Sequence, residues 1–283
     1  MNLTSPSQVK AWCIEHDFHP NKVLGQNFLV DRNALEAIVD AAALPAGARV
    51  LEIGPGLGVL TEEMLRRGFA VTAVEKDPVL AERLAEALGN PPNLTVRAGD
   101  ALDLIKDGSC DGFPALVSNL PYQAGTRILL ELTQRTGGTR PCASESSAPA
   151  GAPETAVVLV QTEVAERLAA GPGSKTRGLA GVWVQLDYDV QLVRAVKASC
   201  FWPRPEIGSS VVSLVRHDRN VGFSAKERDV FHRLTKKAFE HRRKQLGSIF
   251  KDLIQSSARA EELANEDWIN LSKGIAENAE EDS

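Results

Sequence analysis

The chain has 283 residues, 43% of them hydrophobic and 24% charged, with a formal net charge of −5. That length suits one large or two unequal domains, and that composition excludes global disorder. A weakly acidic total argues against a nucleic-acid binder that relies on bulk positive charge, but residues 219–251 carry +7 and residues 261–283 carry −7, so a basic patch survives inside it.

A helix is predicted over 6–16, with Ser5 as its cap, Pro6 in the first turn and Gln8 reaching back. Asp31 is placed to cap a second helix whose buried face holds Leu35, Ile38, Val39 and Ala42. Apolar strand-like runs follow at 49–53, 70–75, 94–97, 115–118 and 156–161. Helical spacing lies between the first three, at 60–67 and 79–88. Continuous apolar strands separated by helices predict a parallel sheet covered on both faces. Runs at 190–196 and 210–216 suit added edge strands. Fifteen of the 19 residues at 136–154 are Gly, Ala, Ser, Pro or Thr, which predicts a mobile surface loop. Helices are predicted at 224–239, 242–256 and 260–275. The expected organisation is a helical extension at 1–20, an α/β domain at 21–216 and a small helical domain at 217–283 that ends in a solvated acidic tail.

Cys13, Cys110, Cys142 and Cys200 are widely spaced, which disfavours metal clusters and disulfide scaffolds and suits a reducing compartment. No apolar run approaches ~18 residues, so no membrane span is expected. The chain also opens without the basic and apolar regions of a secretory signal.

Three motifs carry chemistry. Gly54, Gly56 and Gly58 follow the first buried strand, where glycines let backbone approach a ligand. A bare structural turn is the alternative. Val59 stands where a dinucleotide fingerprint wants glycine, so the spacing fits a nucleoside with a non-phosphate tail better than a pyrophosphate. Glu75 ends the second strand, where a carboxylate can accept from both ribose hydroxyls, and Asp100 follows the third, where it can accept from an adenine amine. Asn119-Leu120-Pro121-Tyr122 closes the fourth strand. An ordinary proline turn is one reading. The other is chemical: the Asn119 side-chain oxygen and the Leu120 carbonyl would hold both N–H bonds of an exocyclic amine, Pro121 would stiffen the turn, and Tyr122 would offer a face to an unstacked base.

With these, the stretch 22–29 (Lys-Val-Leu-Gly-Gln-Asn-Phe-Leu) and the segments 161–168, 171–175, 201–205, 210–212, 239–244 and 259–261 resemble the ribosomal RNA adenine N6,N6-dimethyltransferases of the KsgA type. The resemblance runs from about Asn21 to Leu271. It implies a Rossmann-like methyltransferase sheet with a small helical C-terminal domain. It also implies S-adenosylmethionine as cofactor and small-subunit rRNA, in an immature subunit, as partner. A cytoplasmic monomer using neither metal nor membrane is expected. Gln26, Asn27 and Leu29 would line the methionine end of the cofactor near Gly54 and Gly56. Glu75 would hold the ribose, and Asp100 with Ala101 the adenine. Phe201 would face the target base opposite Tyr122, although a core aromatic in a proline-rich turn is the alternative. Arg242, Arg243 and Lys244 would touch RNA phosphates, where a solvated helix face is the alternative. Thr162, Glu206 and Ser248 depart from the family's usual Lys, basic residue and Asn.

Overall fold

The computed structural model describes residues 2–21, 25–134, 151–220, 222–251 and 253–281. Helix α1 (Pro6–Glu15) has Pro6 in its first turn, but no side chain caps it. Gln8 Oε1 accepts from the Asn2 amide at 2.8 Å instead of reaching back to Ser5, so the expected capping box does not form. Strand β1 (Phe28–Leu29) precedes α2 (Arg32–Ala42), which Asp31 does cap: its Oδ1 accepts from the Ala34 amide at 2.8 Å.

Five parallel strands follow: β2 (Arg49–Ile53), β3 (Ala70–Glu75), β4 (Leu94–Ala98), β5 (Ala115–Asn119) and β6 (Thr155–Gln161). Between them run α3 (Val59–Arg66), α4 (Pro78–Ala87), α5 (Ala101–Lys106) and α6 (Gly125–Gln134). After α7 (Thr162–Ala169) and α8 (Leu179–Val184) come β7 (Tyr188–Val196), β8 (Phe201–Trp202) and β9 (Ser209–Arg216). The seven-stranded sheet has the order β4-β3-β2-β5-β6-β9-β7, while β1 and β8 form a separate antiparallel pair. Only β7 is an edge on that side. Strand β9, expected at an edge, is inserted antiparallel between β6 and β7 because its first six residues are buried on both faces.

The continuous apolar runs have a physical cause in the side-chain alternation of a strand. Val157 and Leu159 of β6 enter the core beneath α2 and α3, with Ile38, Leu60 and Met64. Ala156, Val158 and Val160 enter the opposite core, with Ile105 and Leu129. Strand β2 passes to β3 on one side and is paired with β5 on the other, so the direction of winding reverses between β2 and β5. Ligands of open α/β sheets bind outside the carboxyl ends of strands at such a switch.

The helical region is only partly as expected. Helix α9 (Ala225–Glu240) starts with a Ser224–Glu227 capping box. The helix predicted at 242–256 shrinks to α10 (Leu246–Ile249), because the chain turns at 241–244 and Gln245 bridges Arg259. A Cβ at Gly247 would lie 2.9 Å from the Ser256 carbonyl, so the returning strand packs directly on this position. Helix α11 (Asn265–Glu281) takes in most of the acidic tail and buries Trp268, Ser272 and Ala276. It shares a core with Val182 and Leu186 from the α/β side. Arg228 donates twice to Asp187, both bonds at 2.8 Å, which pins α9 to the end of the sheet. Most of the loop predicted at 136–154 lies outside the described residues. Its last part is anchored: the Tyr188 hydroxyl donates to the Pro153 carbonyl at 2.7 Å, and the Glu154 amide to the Pro114 carbonyl at 2.8 Å.

Candidate active site

The pocket is built where the winding reverses. Gly54, Gly56 and Gly58 all have positive φ (72°, 59° and 88°), a region that L side chains rarely adopt. Space is also short. A Cβ on Gly56 would come 3.0 Å from the Phe28 ring, and one on Gly54 would meet Pro121 at 3.7 Å. The glycine loop after β2 therefore touches the Asn119–Tyr122 turn after β5, and the pocket lies against both.

Buried acids shape its inner wall. Glu75 is buried, with Oε2 accepting from the Gly56 amide at 3.0 Å and Oε1 from the Asp77 amide at 2.9 Å. Burial raises its pKa, and these two amides oppose the rise. Each carboxylate oxygen keeps a second acceptor site for a ribose diol. Asp100 caps α5 through Oδ1, which accepts from the Leu102 amide at 2.9 Å. Its Oδ2 accepts from Lys76 Nζ at 2.8 Å, and that bond holds the Asp100 pKa below the usual carboxylate range. An adenine amine would thus share Asp100 with Lys76 rather than find a free acid.

The residues expected at the methionine end are tied down as firmly. Gln26 donates to Asp77 Oδ2 at 2.9 Å and accepts from the Asn21 amide at 2.7 Å, so its amide braces the loop while the residue lines the pocket. Asn27 donates to the Gly25 carbonyl at 3.2 Å, and its own carbonyl accepts from Asn119 Nδ2 at 3.4 Å. An amide that donates through Nδ2 keeps Oδ1 as an acceptor. Gly25 is at φ 67°, and a Cβ there would lie 3.3 Å from the Tyr122 amide. The Tyr122 hydroxyl pairs with Ser209 Oγ at 2.7 Å, which fixes the ring, and burial raises its pKa.

Gln26, Asn27, Leu29, Gly54, Gly56, Glu75, Asp100, Ala101 and Asn119–Tyr122 thus surround one pocket. Phe201 does not join them. Paired with Leu29 in the β1–β8 ribbon, it is 3% exposed in the core and lines neither this pocket nor the cleft beside it, whereas Trp202 does line that cleft. Arg242, Arg243 and Lys244 lie in the turn after α9 rather than on a helix face. Arg243 and Lys244 are exposed, but Arg242 donates to the Lys175 carbonyl and lies 3.5 Å from Glu261. Lys22, Val23 and Leu24 lie outside the described residues.

Two pocket residues had weak signals in the sequence. Glu52 is the single acid in the otherwise apolar buried stretch of β2, 1% exposed, and accepts from Thr61 Oγ1 at 2.7 Å. Burial pushes its pKa up to about 8. Lys76 directly follows Glu75, and only its pairing with Asp100 across two strand ends gives it a role. Among the described residues no group of His, Cys, Asp and Glu is placed to hold a metal, and no helix is long and apolar enough to cross a membrane.

A glycine loop and two acids at neighbouring strand ends, set at the switch point of this sheet, are the arrangement of an S-adenosylmethionine-dependent methyltransferase. Residues 17–282 match the family model for ribosomal RNA adenine dimethylase. The chain is 34% identical to ribosomal RNA small subunit methyltransferase A of Mycobacterium avium, over 96% of this chain and 87% of that one. It is 41% identical to the protein of the same name from Deinococcus radiodurans, over 75% and 67%. In fold it is similar to the crystal structure of a dimethyladenosine transferase from Plasmodium falciparum, with a TM-score of 0.72 and 22% identity over 88% of this chain and 97% of that one. The chain belongs to the ribosomal RNA adenine dimethylase family.

Proposed function

We propose that the protein methylates the N6 amines of two adjacent adenosines near the 3′ end of small-subunit rRNA. The product is N6,N6-dimethyladenosine, made as a monomer in the cytoplasm on an immature small subunit. The observation that carries this reading is a junction. Gly25–Asn27 and Tyr122–Gln123 line both the cofactor pocket and an open cleft beside it, so a base held on the turn would sit where the two meet. The relatives named for small-subunit rRNA support the choice of substrate over a large-subunit adenine, whose methyltransferases share the Asn-x-Pro-aromatic turn.

When bound, S-adenosylmethionine supplies a sulfonium methyl group to the attacking amine. The chain supplies position and electrostatics. In the first transfer Asn119 Oδ1 and the Leu120 carbonyl accept the two N–H bonds and draw the amine lone pair out of conjugation with the ring. The methylated nitrogen then loses one proton to solvent, and its remaining N–H keeps one acceptor for the second transfer. Positive charge gathers on nitrogen as the N–C bond forms, so these acceptors gain strength toward the transition state. Asn27 and Gly25 hold the turn from behind, and Ser209 holds the Tyr122 ring that faces the base. Glu75 and Asp100 fix the donor's nucleoside end, so that binding strength away from the reacting atoms serves orientation. Arg243 and Lys244 would engage phosphates at a distance from the chemistry.

Asn119→Ala is expected to fold and still bind cofactor while methylation slows by about 100-fold or more. The substrate is tested by incubating unmethylated small and large subunits separately with labelled cofactor and mapping the modified adenosines by mass spectrometry. Label confined to large subunits would overturn the assignment, and near-normal turnover by Asn119→Ala would remove that residue from the mechanism.

A further inference from the structure

Residues 2–20 do more than pack on the sheet. Leu3 and Val9 close one side of the cofactor pocket, but the remaining face of α1 turns to the neighbouring cleft, a cavity of about 700 Å³. That volume falls within the roughly 300–1,000 Å³ of small-molecule sites. Lys10, Ile14 and His19 from the N-terminal segment line it together with Trp202, Arg204, Ile207 and Tyr122. The outer wall is firmly held. Trp12 stacks on His16 with centroids 4.4 Å apart, Trp12 meets Phe18 at 5.9 Å, and Phe18 meets Phe28 at 6.3 Å. Phe28 itself lines the cofactor pocket and packs against Gly56.

Against that anchoring, Ile14 is 72% exposed on α1 and Ile207 is 46% exposed across the cleft. Two large apolar side chains thus border the cleft in solvent, where a stacked base could meet them. The cleft's charge is nearly balanced, since Glu206 lies beside Arg204 and opposite Lys10, so bulk attraction does not select the occupant. A lining of apolar and aromatic side chains with Lys10 and Arg204 among them instead suits one unpaired nucleotide, whose base stacks and whose phosphate meets a basic side chain. The cleft is continuous with the turn that faces the target adenosine. We infer that it receives the nucleotide flanking that adenosine, with residues 10–19 as its outer wall. This rests on the RNA-methylation reading above.

The double variant Lys10→Glu/Ile14→Asp changes two exposed side chains and leaves the packing of α1 untouched. Its Kd for a short single-stranded RNA containing two adjacent adenosines is expected to rise about 10-fold, the loss of one stacked base. Binding of the cofactor should not change. With unmethylated small subunits, KM should rise while kcat stays within about twofold. Equal RNA affinity for variant and wild type would overturn the inference. So would an effect seen with small subunits but not with naked RNA, which would put a protein segment in the cleft, or a weakened cofactor Kd, which would confine α1 to the cofactor pocket. If the wild type binds the RNA and the variant does not, yet neither subunit is methylated, the cleft stands and the reaction assigned to it falls.

Discussion

The cofactor pocket and the helical region handle charge in opposite ways. In the pocket, Glu75 is taken out of water and held by two backbone amides, and Asp100 is locked between Lys76 and the start of α5. In the turn after α9, Arg243 and Lys244 stand in solvent. The first arrangement fixes a few polar groups to a fraction of an ångström and suits recognition of one small molecule. The second suits a polyanion, where energy comes from counterion release and tolerates imprecise geometry. A single chain thus separates exact placement from broad attraction, and changes in the two regions should fail differently.

The largest loss is expected in the pocket. Glu75→Gln puts an NH2 group where one of two oxygens now accepts from the Gly56 or Asp77 amide, so one buried donor must face another. Cofactor affinity, read by calorimetry, should fall by about 10- to 100-fold, the cost of one charged hydrogen bond to the ligand. An unchanged Kd would make Glu75 a brace for the glycine loop and nothing more. The helical region should respond through salt. Replacing Arg243 and Lys244 with Ala should make the log Kd against log salt slope for RNA shallower by about 1.5, at roughly 0.7–0.9 for each phosphate that is no longer neutralised. Arg242→Ala should change that slope less, because Arg242 is already engaged by Glu261 and the Lys175 carbonyl. Equal slopes for all three residues would erase the distinction drawn from their surroundings.

The same contrast explains what could be read from the sequence. The glycine loop, Glu75, Asp100 and the Asn119 turn were legible because each is local. A strand of a parallel sheet carries its ligands just past its own carboxyl end, so the order of strands nearly fixes the order of site residues. What was not legible depends on pairs distant in sequence. Phe201 sits in a proline-rich turn that fits a base-stacking residue as well as a core one, and only its pairing with Leu29 buries it. Arg242 reads like its two basic neighbours until Glu261 is brought beside it. The helix expected at 242–256 has acceptable spacing, yet the approach of Ser256 to Gly247 folds the segment back after one turn. Ser5 satisfies every local rule for a cap, but its hydroxyl pairs with that of Ser7 and the Gln8 side chain is taken by the Asn2 amide.

A stability effect tests the pocket's hidden carboxyl. Glu52 has a pKa near 8 because burial penalises its ionised form, and the neighbouring Glu75 adds to the rise. Below about pH 4.5 the carboxyl is protonated in both folded and unfolded chains, and the contribution to stability is fully present. Between about 4.5 and 8 only the folded chain keeps the proton, so stability falls as pH rises, by at most about 1.4 kcal/mol per pH unit from this group. Above that range both forms are ionised and the loss is complete. Glu52→Gln keeps an oxygen to accept from Thr61 and carries no titrating proton. Its thermal midpoint should match the wild type near pH 4.5 and exceed it increasingly toward pH 8. Glu75 titrates in both proteins and largely cancels from the difference. Parallel midpoint curves across that range would mean that Glu52 is ionised in the folded protein, and the strand interior would then have to be far better solvated than its 1% exposure allows.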